Sequence, residues 1–263
     1  MELGLSGKVA IVGGGSGGIG SAVATALARE GARVVIWSRR DPALSNAAER
    51  IRGETGAEVL PVLGDQRVAA DQEKIVSQAI EKFGRVDILV NNGGAPPLGQ
   101  LMKFDDEAWD KAVRQMLLSV VRLARLCQPS MKASGGGRII NVAALSAKAP
   151  LAGFGLTAAT LAGLIGFSKT LSRELGADRI TVNTICPGRI DTDLTKRALK
   201  AQADMQKRTV EEVTAEATAR IPLRRFGRPE EIGAVVAFLA SSQAAFITGT
   251  TIQVDGGAVE ALM

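Results

Sequence analysis

Short apolar runs alternate with stretches of helical periodicity along almost the whole chain. The apolar runs fall at 9–12, 34–37, 58–62, 86–90, 138–142, 180–185 and 251–254. Between them, apolar residues recur at helical spacing in 19–29, 43–53, 68–83, 106–133 and 156–176; 193–220 is polar and helical, and Pro229 opens another helix. Strands that are apolar throughout and alternate with helices indicate a parallel sheet covered on both faces. The pattern predicts a single α/β domain over 1–263, with a doubly wound parallel sheet of about seven strands.

Composition limits the partners. The formal net charge of +5 suits acidic small molecules, but the basic residues are spread along the chain and aromatic residues make up only 3%, so nucleic acid is excluded. Cys127 and Cys186 have no metal-ligand spacing and histidine is absent, so no metal is expected. Neither a targeting segment nor a run of ~18 apolar residues is present, which predicts a cytoplasmic protein away from membranes.

A glycine-rich turn joins the first strand to the first helix. Gly14, Gly18 and Gly20 would allow a tight turn and let the backbone approach a pyrophosphate at the helix N-terminus. The motif alone is weak, but Asp65, the segment 91–94 and the segment 187–192 also follow predicted strands, where open parallel sheets bind ligands. Together they predict a Rossmann-type dinucleotide site.

At these residues the chain resembles the short-chain dehydrogenase/reductase family, most closely its 3-oxoacyl-carrier-protein reductase branch. The resemblance runs from about Leu5 to Gly257 and includes 221–232 and 254–257. It departs mildly at Gly13 and Gly93, where the family has threonine and alanine. It implies a homotetramer or dimer and the following cofactor-binding residues: Gly14, Ser16, Gly18, Ile19, Gly20, Ser38, Arg39, Asp65, Gln66, Asn92, Gly94, Pro187, Gly188, Ile190 and Thr192.

The end of the second strand bears on the choice of cofactor. The acid that would bind a ribose 2′-hydroxyl is replaced by Ser38, and Arg39 and Arg40 follow. Arginine suits a 2′-phosphate, so NADP(H) is favoured over NAD(H). The alternative is that both arginines are solvated surface charges.

The chain lacks the residues that carry the family's chemistry. In similar enzymes a tyrosine is the acid/base, a lysine four residues later lowers its pKa, a serine polarises the carbonyl and an asparagine anchors a proton relay. The resemblance places these four at Thr157, Leu161, Ala144 and Met116, and the chain contains no tyrosine at all. An aliphatic hydroxyl is far too weak an acid to replace a phenol, so ordinary carbonyl reduction is predicted to be slow or absent.

Few reactive groups remain as catalytic candidates. Besides Thr157, Ser146 and Lys148 lie on the segment expected to line the substrate pocket, although the preferred interpretation of Lys148 is a lysine on a solvent-facing loop. Asp105, Asp106 and Glu107 are interpreted as helix-capping acids. Cys186 is interpreted as a packing residue, although a nucleophilic role is conceivable.

Three functional hypotheses remain. The leading one is an NADP(H)-binding family member that acts on a carbonyl or hydroxyl compound through a non-standard site, with 193–220 as a substrate lid. The second is a non-catalytic subunit that assembles with an intact paralogue. The third is lyase or hydratase chemistry on the same scaffold, without hydride transfer.

Overall fold

A computed structural model of the chain describes residues 2–260; Met1 and 261–263, which the predicted domain 1–263 includes, lie outside the described residues. Within that range seven strands form one parallel sheet in the order β3-β2-β1-β4-β5-β6-β7. The strands are β1 (Val9–Gly13), β2 (Arg33–Ser38), β3 (Val59–Leu63), β4 (Ile88–Asn91), β5 (Gly137–Val142), β6 (Ile180–Pro187) and β7 (Thr251–Val254). The predicted doubly wound α/β fold is confirmed.

Helices cover both faces of this sheet. They are α1 (Gly18–Arg29), α2 (Ala43–Thr55), α3 (Ala69–Phe83), α4 (Asp106–Val113), α5 (Ser119–Ala133), α6 (Gly155–Glu174), α7 (Asp193–Gln206), α8 (Val210–Ala219) and α9 (Pro229–Ala240). Pro229 occupies the first turn of α9, as predicted, because its missing N–H would have no partner there. Asp105 caps α4 by accepting a hydrogen bond from the backbone N–H of Ala108 at 2.9 Å.

The helical stretch predicted over 106–133 is present and contains a π turn. This turn, Arg114–Leu118, lies between α4 and α5. The apolar spacing along this segment is that of an ordinary helix, so the pattern does not reveal the π turn. The turn matters because it carries Met116.

Alternate residues of a strand pack into two different apolar cores. In β2, Val34 and Ile36 pack against the layer that contains α1, α2 and α9, whereas Val35 and Trp37 pack against the layer that contains α3 and α5. All four side chains are buried. Because side chains of a strand point to opposite faces in turn, a fully apolar strand requires both layers.

A buried polar chain fixes α6 against the ends of two strands. Asn91 of β4 donates from Nδ2 to Asn141 Oδ1 of β5 at 2.8 Å, and Asn141 Nδ2 donates to Ser168 Oγ of α6 at 2.8 Å. Each amide is buried, so losing either bond would leave a desolvated group unpaired. The chain thereby fixes the position of α6, which carries Thr157 and Leu161.

Candidate functional site

A cavity of about 320 Å³ opens at the carboxyl ends of the strands. Its walls come from the ends of β2 and β4 to β6, from the segment between β3 and α3, and from α1, α5, α6, α7 and the π turn. The predicted site residues that line it are Met116, Ala144, Thr157, Leu161, Ile19, Gln66, Asn92, Pro187, Gly188, Ile190 and Thr192. The remaining predicted cofactor residues lie in the glycine-rich turn, at the end of β2 and after β3 and β4.

The glycine-rich turn is built for close approach to an anion. Gly14 and Gly18 have φ of +65° and +54°, which other residues rarely adopt. A Cβ on Gly20 would collide with the carbonyl oxygens of Gly13 and Gly14. The N-cap of α1 is Gly17, no side chain caps it, and its first turn holds no acid. The helix therefore offers free backbone N–H groups and an uncompensated positive dipole end.

A cluster of basic residues lies at the end of β2. Arg40 donates from Nη2 to Ser16 Oγ at 3.1 Å, and its backbone N–H donates to Ser38 Oγ at 3.2 Å. Arg39 lies 3.7 Å from the carboxylate of Asp65, and its side chain is 60% exposed. Arg40 thus contacts the glycine-rich turn and Arg39 contacts the segment after β3; both arginines are the ones that the sequence assigns to a 2′-phosphate.

Asp65, predicted to contact the adenine, is already engaged. Arg67 binds its carboxylate through Nε and Nη2, the latter at 2.6 Å, and its backbone N–H also donates to Asp65 Oδ1. The hydrogen bond from Arg67 holds the pKa of Asp65 below its usual value despite the opposing effect of burial. An adenine amino group would thus share this carboxylate with Arg67, a residue that sequence reasoning did not select.

The loop after β4 is held by two glutamines. A Cβ on Gly93 would overlap Gln66 Oε1, so the glutamine occupies the space of the alanine methyl that the family resemblance implies at position 93. Gln115 Nε2 donates to the carbonyl oxygen of Gly94 at 2.6 Å, and Asn92 Nδ2 donates to Gly13 O at 3.0 Å. Gln115 lines the cavity but has no sequence signal beyond its position next to Met116.

The four positions of the missing tetrad lie on one wall of the cavity. Leu161 is 1% exposed and forms an apolar cluster with Val120 and Leu164, against which Met116 and Ala144 pack. Three of the four replacements thus contribute to one hydrocarbon surface. A cation at Leu161 would have no carboxylate nearby to offset its desolvation among the side chains of this cluster.

Thr157 is the one hydroxyl at these four positions. It is 3% exposed, it lines the cavity, and its Oγ1 has no hydrogen-bond partner among residues 2–260. Thr160, one turn away on α6, instead donates from Oγ1 to Leu156 O at 2.7 Å. Since buried hydroxyls are ordinarily paired, the hydrogen-bonding capacity of Thr157 is unused in this structure.

Ser146 and Lys148 follow Ala144 in the chain but are not among the residues that line the cavity. Ser146 is buried in the 3₁₀ turn Leu145–Ala147, and Lys148 Nζ donates to Thr251 O at 3.3 Å, across on β7. Burial raises the pKa of the Cys186 thiol to about 11, which leaves it uncharged and a poor nucleophile.

The predicted lid consists of α7 and α8. They pack on each other through Leu199, Ala203 and Val213, in a small cluster separate from the two cores. Thr192 caps α7 by accepting from the N–H of Thr195, and Leu194 and Thr195 line the cavity. This places the start of α7 directly over the site.

Comparison with known proteins shows which protein family the chain belongs to. The family model described as enoyl-(acyl carrier protein) reductase matches residues 14–259. The chain is 38% identical over 251 residues to the 3-oxoacyl-acyl-carrier-protein reductase FabG of Escherichia coli strain K12, covering 95% of this chain and 97% of the relative. It is 35% identical over 255 residues to dehydrogenase/reductase SDR family member 4 of Oryctolagus cuniculus, covering 97% and 94% of the two chains.

A solved structure gives the same result. L-sorbose reductase from Gluconobacter frateurii, complexed with NADPH and L-sorbose, superposes with a TM-score of 0.96 and 36% identity over the full length of both chains.

Among the helices of residues 2–260, none has the length and apolar character needed to cross a membrane.

Proposed function

The chain belongs to the short-chain dehydrogenase/reductase family, and from this premise we propose that it binds NADP(H) firmly by the adenosine half and weakly by the nicotinamide half. We propose further that it acts on a carbonyl or hydroxyl compound without the family's tyrosine–lysine pair. The observation that carries the proposal is the contrast between an intact phosphate turn and the hydrocarbon wall at the tetrad positions.

The adenosine end fits the cofactor. The uncapped N-terminus of α1 provides backbone donors for the pyrophosphate, and the collision at Gly20 explains why the turn has no side chain there. Arg39 and Arg40 supply charge for a 2′-phosphate, since guanidinium groups pair with phosphate oxygens through charge-assisted hydrogen bonds. NADPH-bound relatives such as L-sorbose reductase support NADP(H) as the cofactor.

The nicotinamide end fits it less well. A ribose next to Leu161 and Met116 would place hydroxyl groups against hydrocarbon, at a cost of roughly 1–3 kcal/mol for each group left unpaired. We therefore expect the nicotinamide to be poorly ordered even when the adenosine is bound.

Thr157 is the group that we assign to the substrate. NADPH supplies a hydride when it is bound. The Thr157 hydroxyl would donate a hydrogen bond to the substrate oxygen, and water would supply the proton, because no residue of tyrosine-like acidity is present. A preorganised donor contributes about 10²–10³ in rate, so the reaction would lack the further ~10²–10⁴ of an acid/base.

A non-catalytic role as subunit of an intact paralogue is the second candidate. It is favoured by the burial of Leu161 and by its packing with Met116 and Ala144, since three coordinated apolar replacements leave no polar relay. In either role we propose that α7 and α8 act as the lid and that the chain forms oligomers.

Transfer of deuterium from deuterated NADPH to a panel of ketones and keto thioesters, read by mass spectrometry, tests the assignment. We expect slow transfer by the chain alone, and a loss of about 10²-fold in Thr157→Val. Thr160→Val is the matched control, because its hydroxyl already bonds to Leu156 O, and it should retain the rate. Equal rates in Thr157→Val and wild type would refute the role of Thr157, and no transfer by wild type would favour the non-catalytic role.

A further inference from the structure

A second, larger cavity opens at the opposite edge of the sheet, at the amino ends of the strands. Its volume is about 680 Å³, and we call it the basal cavity. Lys8, Arg138, Arg179, Thr181 and Phe246 line it together with the glycine segment 135–137. The glycine-rich turn and the tetrad positions lie at the other edge of the sheet. The proposed nucleotide site therefore does not account for the basal cavity.

The basal cavity has excess positive charge. Its one acidic lining residue is Asp87, which Arg85 binds through Nε at 2.9 Å and through Nη2 at 2.5 Å. The N–H of Val9 also donates to Asp87, whereas Lys8 reaches it by a single long contact of 3.4 Å. Because Arg85 already neutralises Asp87, the charges of Lys8, Arg138 and Arg179 are left largely without a counter-charge.

Arg138 is half-buried and bound only by carbonyl oxygens. It donates to Ser241 O at 3.3 and 3.4 Å and to Gly137 O at 3.0 Å. Ser241 ends α9, so the negative end of that helix explains part of this charge. A guanidinium has five N–H donors and three atoms are in use here, so donors remain. Burial lowers the pKa of Arg138, as expected for a cation short of a counter-ion.

Arg179 has neither an ion pair nor a side-chain hydrogen bond within residues 2–260, although charged neighbours such as Asp178 pair elsewhere. Its φ is +58°, in the left-handed region that favours glycine. A glycine would relieve the backbone strain of this turn, but the position holds an arginine. The exposed cation of Arg179 has no partner within residues 2–260.

Two further groups indicate a ligand. Thr181 is 7% exposed and its Oγ1 has no partner among the described residues. Phe246 is fully exposed, with a relative accessibility of 103%, so its whole ring is available to pack against an apolar surface. Unpaired donors beside an exposed aromatic ring suit a molecule that has both an anionic and an apolar end.

We propose that the basal cavity binds a small molecule whose carboxylate or phosphate group pairs with Arg179, Arg138 and Thr181 and whose apolar body packs on Phe246. The two oxyanions share the same recognition chemistry, charge-assisted hydrogen bonds from guanidinium groups and a hydroxyl. This site is independent of the nucleotide site and goes beyond the proposed function.

Calorimetric titration with phenyl phosphate, inorganic phosphate and benzoate tests the proposal and separates the two oxyanions. Arg179→Gly removes the cation and suits the backbone at this position, so it should fold normally while weakening binding about tenfold. Lys207→Gly is the matched control: Lys207 is an exposed cation at φ +53°, at the end of α7, outside the basal cavity. It should leave binding unchanged, as should Arg39→Ala in the nucleotide site.

The apolar body is tested separately. Phe246→Ala should weaken phenyl phosphate but not inorganic phosphate, because only the former has a ring to bury. Saturable binding that Arg179→Gly reduces and both control variants leave intact would support the site. Binding that is equal in wild type and Arg179→Gly, binding lost in Arg39→Ala, or no saturable binding of any probe would overturn it.

Discussion

At the scale of single residues, the burial of Leu161 shows most clearly how this site differs from the site that the family resemblance implies. The family resemblance implies a lysine here, but the side chain is 1% exposed and packs on Val120 and Leu164. An ammonium group in that position needs a tyrosine hydroxyl or a ribose as its hydrogen-bond partner, and this chain has no tyrosine. Reintroducing the lysine alone would bury a charge without a partner.

Leu161→Lys should therefore lower the free energy of unfolding by roughly 3 to 5 kcal/mol, the cost of an uncompensated buried charge. Leu161→Met, which nearly conserves volume, should cost less than about 1.5 kcal/mol. Burial depresses the pKa of such a lysine in the folded state, so its penalty is greatest at low pH and fades as pH rises towards the unfolded pKa near 10.4. Urea denaturation at pH 6 and pH 9 measures both effects; equal stability of the two variants at pH 6 would contradict this account.

The sequence predicts some site residues well and others not at all. The spacing of Gly14, Gly18 and Gly20 indicates the phosphate turn from the chain itself, and the family resemblance places the four tetrad positions. Gln115 is not predicted, because its role depends on a contact with Gly94 that only folding creates. Gln66 is predicted as a cofactor residue, but its contact with Gly93 is not. Arg67 was missed for a similar reason: its partner Asp65 was interpreted as free for adenine.

At the scale of elements, periodicity predicts where helices lie but not how they are interrupted. The π turn Arg114–Leu118 keeps the apolar spacing and so escapes detection, although it places Met116 in the cavity wall. The N-terminus of α9, in contrast, lies where the sequence predicts it, at Pro229. There Glu231 accepts a hydrogen bond from the backbone N–H of Arg228 at 2.7 Å, and its charge lies in the first helical turn.

Glu231 gives a prediction for pH. Hydrogen bonds from Arg225, and then from the backbone N–H of Arg228, lower the pKa of its carboxyl to about 2. A carboxyl with a depressed folded pKa contributes stability above its unfolded pKa of about 4.3, and loses it as pH falls towards about 2. Because the side chain is partly exposed, the contribution is small and salt-dependent.

Carbon-detected NMR of the Glu231 carboxyl should show a titration midpoint near 2. Hydrogen exchange at the first turn of α9 should quicken over the same pH range in wild type but not in Glu231→Gln, which lacks the titrating group. A midpoint above about 4, the value of an unperturbed glutamate, would rule out this contact in solution.

At the scale of the whole molecule, the parallel sheet places two cavities at opposite edges. The carboxyl edge joins an anion-binding turn to a hydrocarbon wall, and the amino edge carries the basal cavity. The parallel sheet of about seven strands and its two covering layers were predictable from apolar runs and connection rules. The basal cavity was not, because Lys8, Arg138 and Arg179 are far apart in sequence and meet only through the alignment of strand starts.

The central claim is that one site keeps its adenosine half and has lost its nicotinamide half. Calorimetry with NADPH and with adenosine 2′,5′-bisphosphate, which lacks the nicotinamide half, tests it most directly. We predict dissociation constants within about threefold of each other, less than 1 kcal/mol apart, and a loss of about tenfold for both ligands in Arg39→Ala. NADPH binding about a hundredfold tighter than the bisphosphate, or no binding of either at millimolar concentration, would contradict the account.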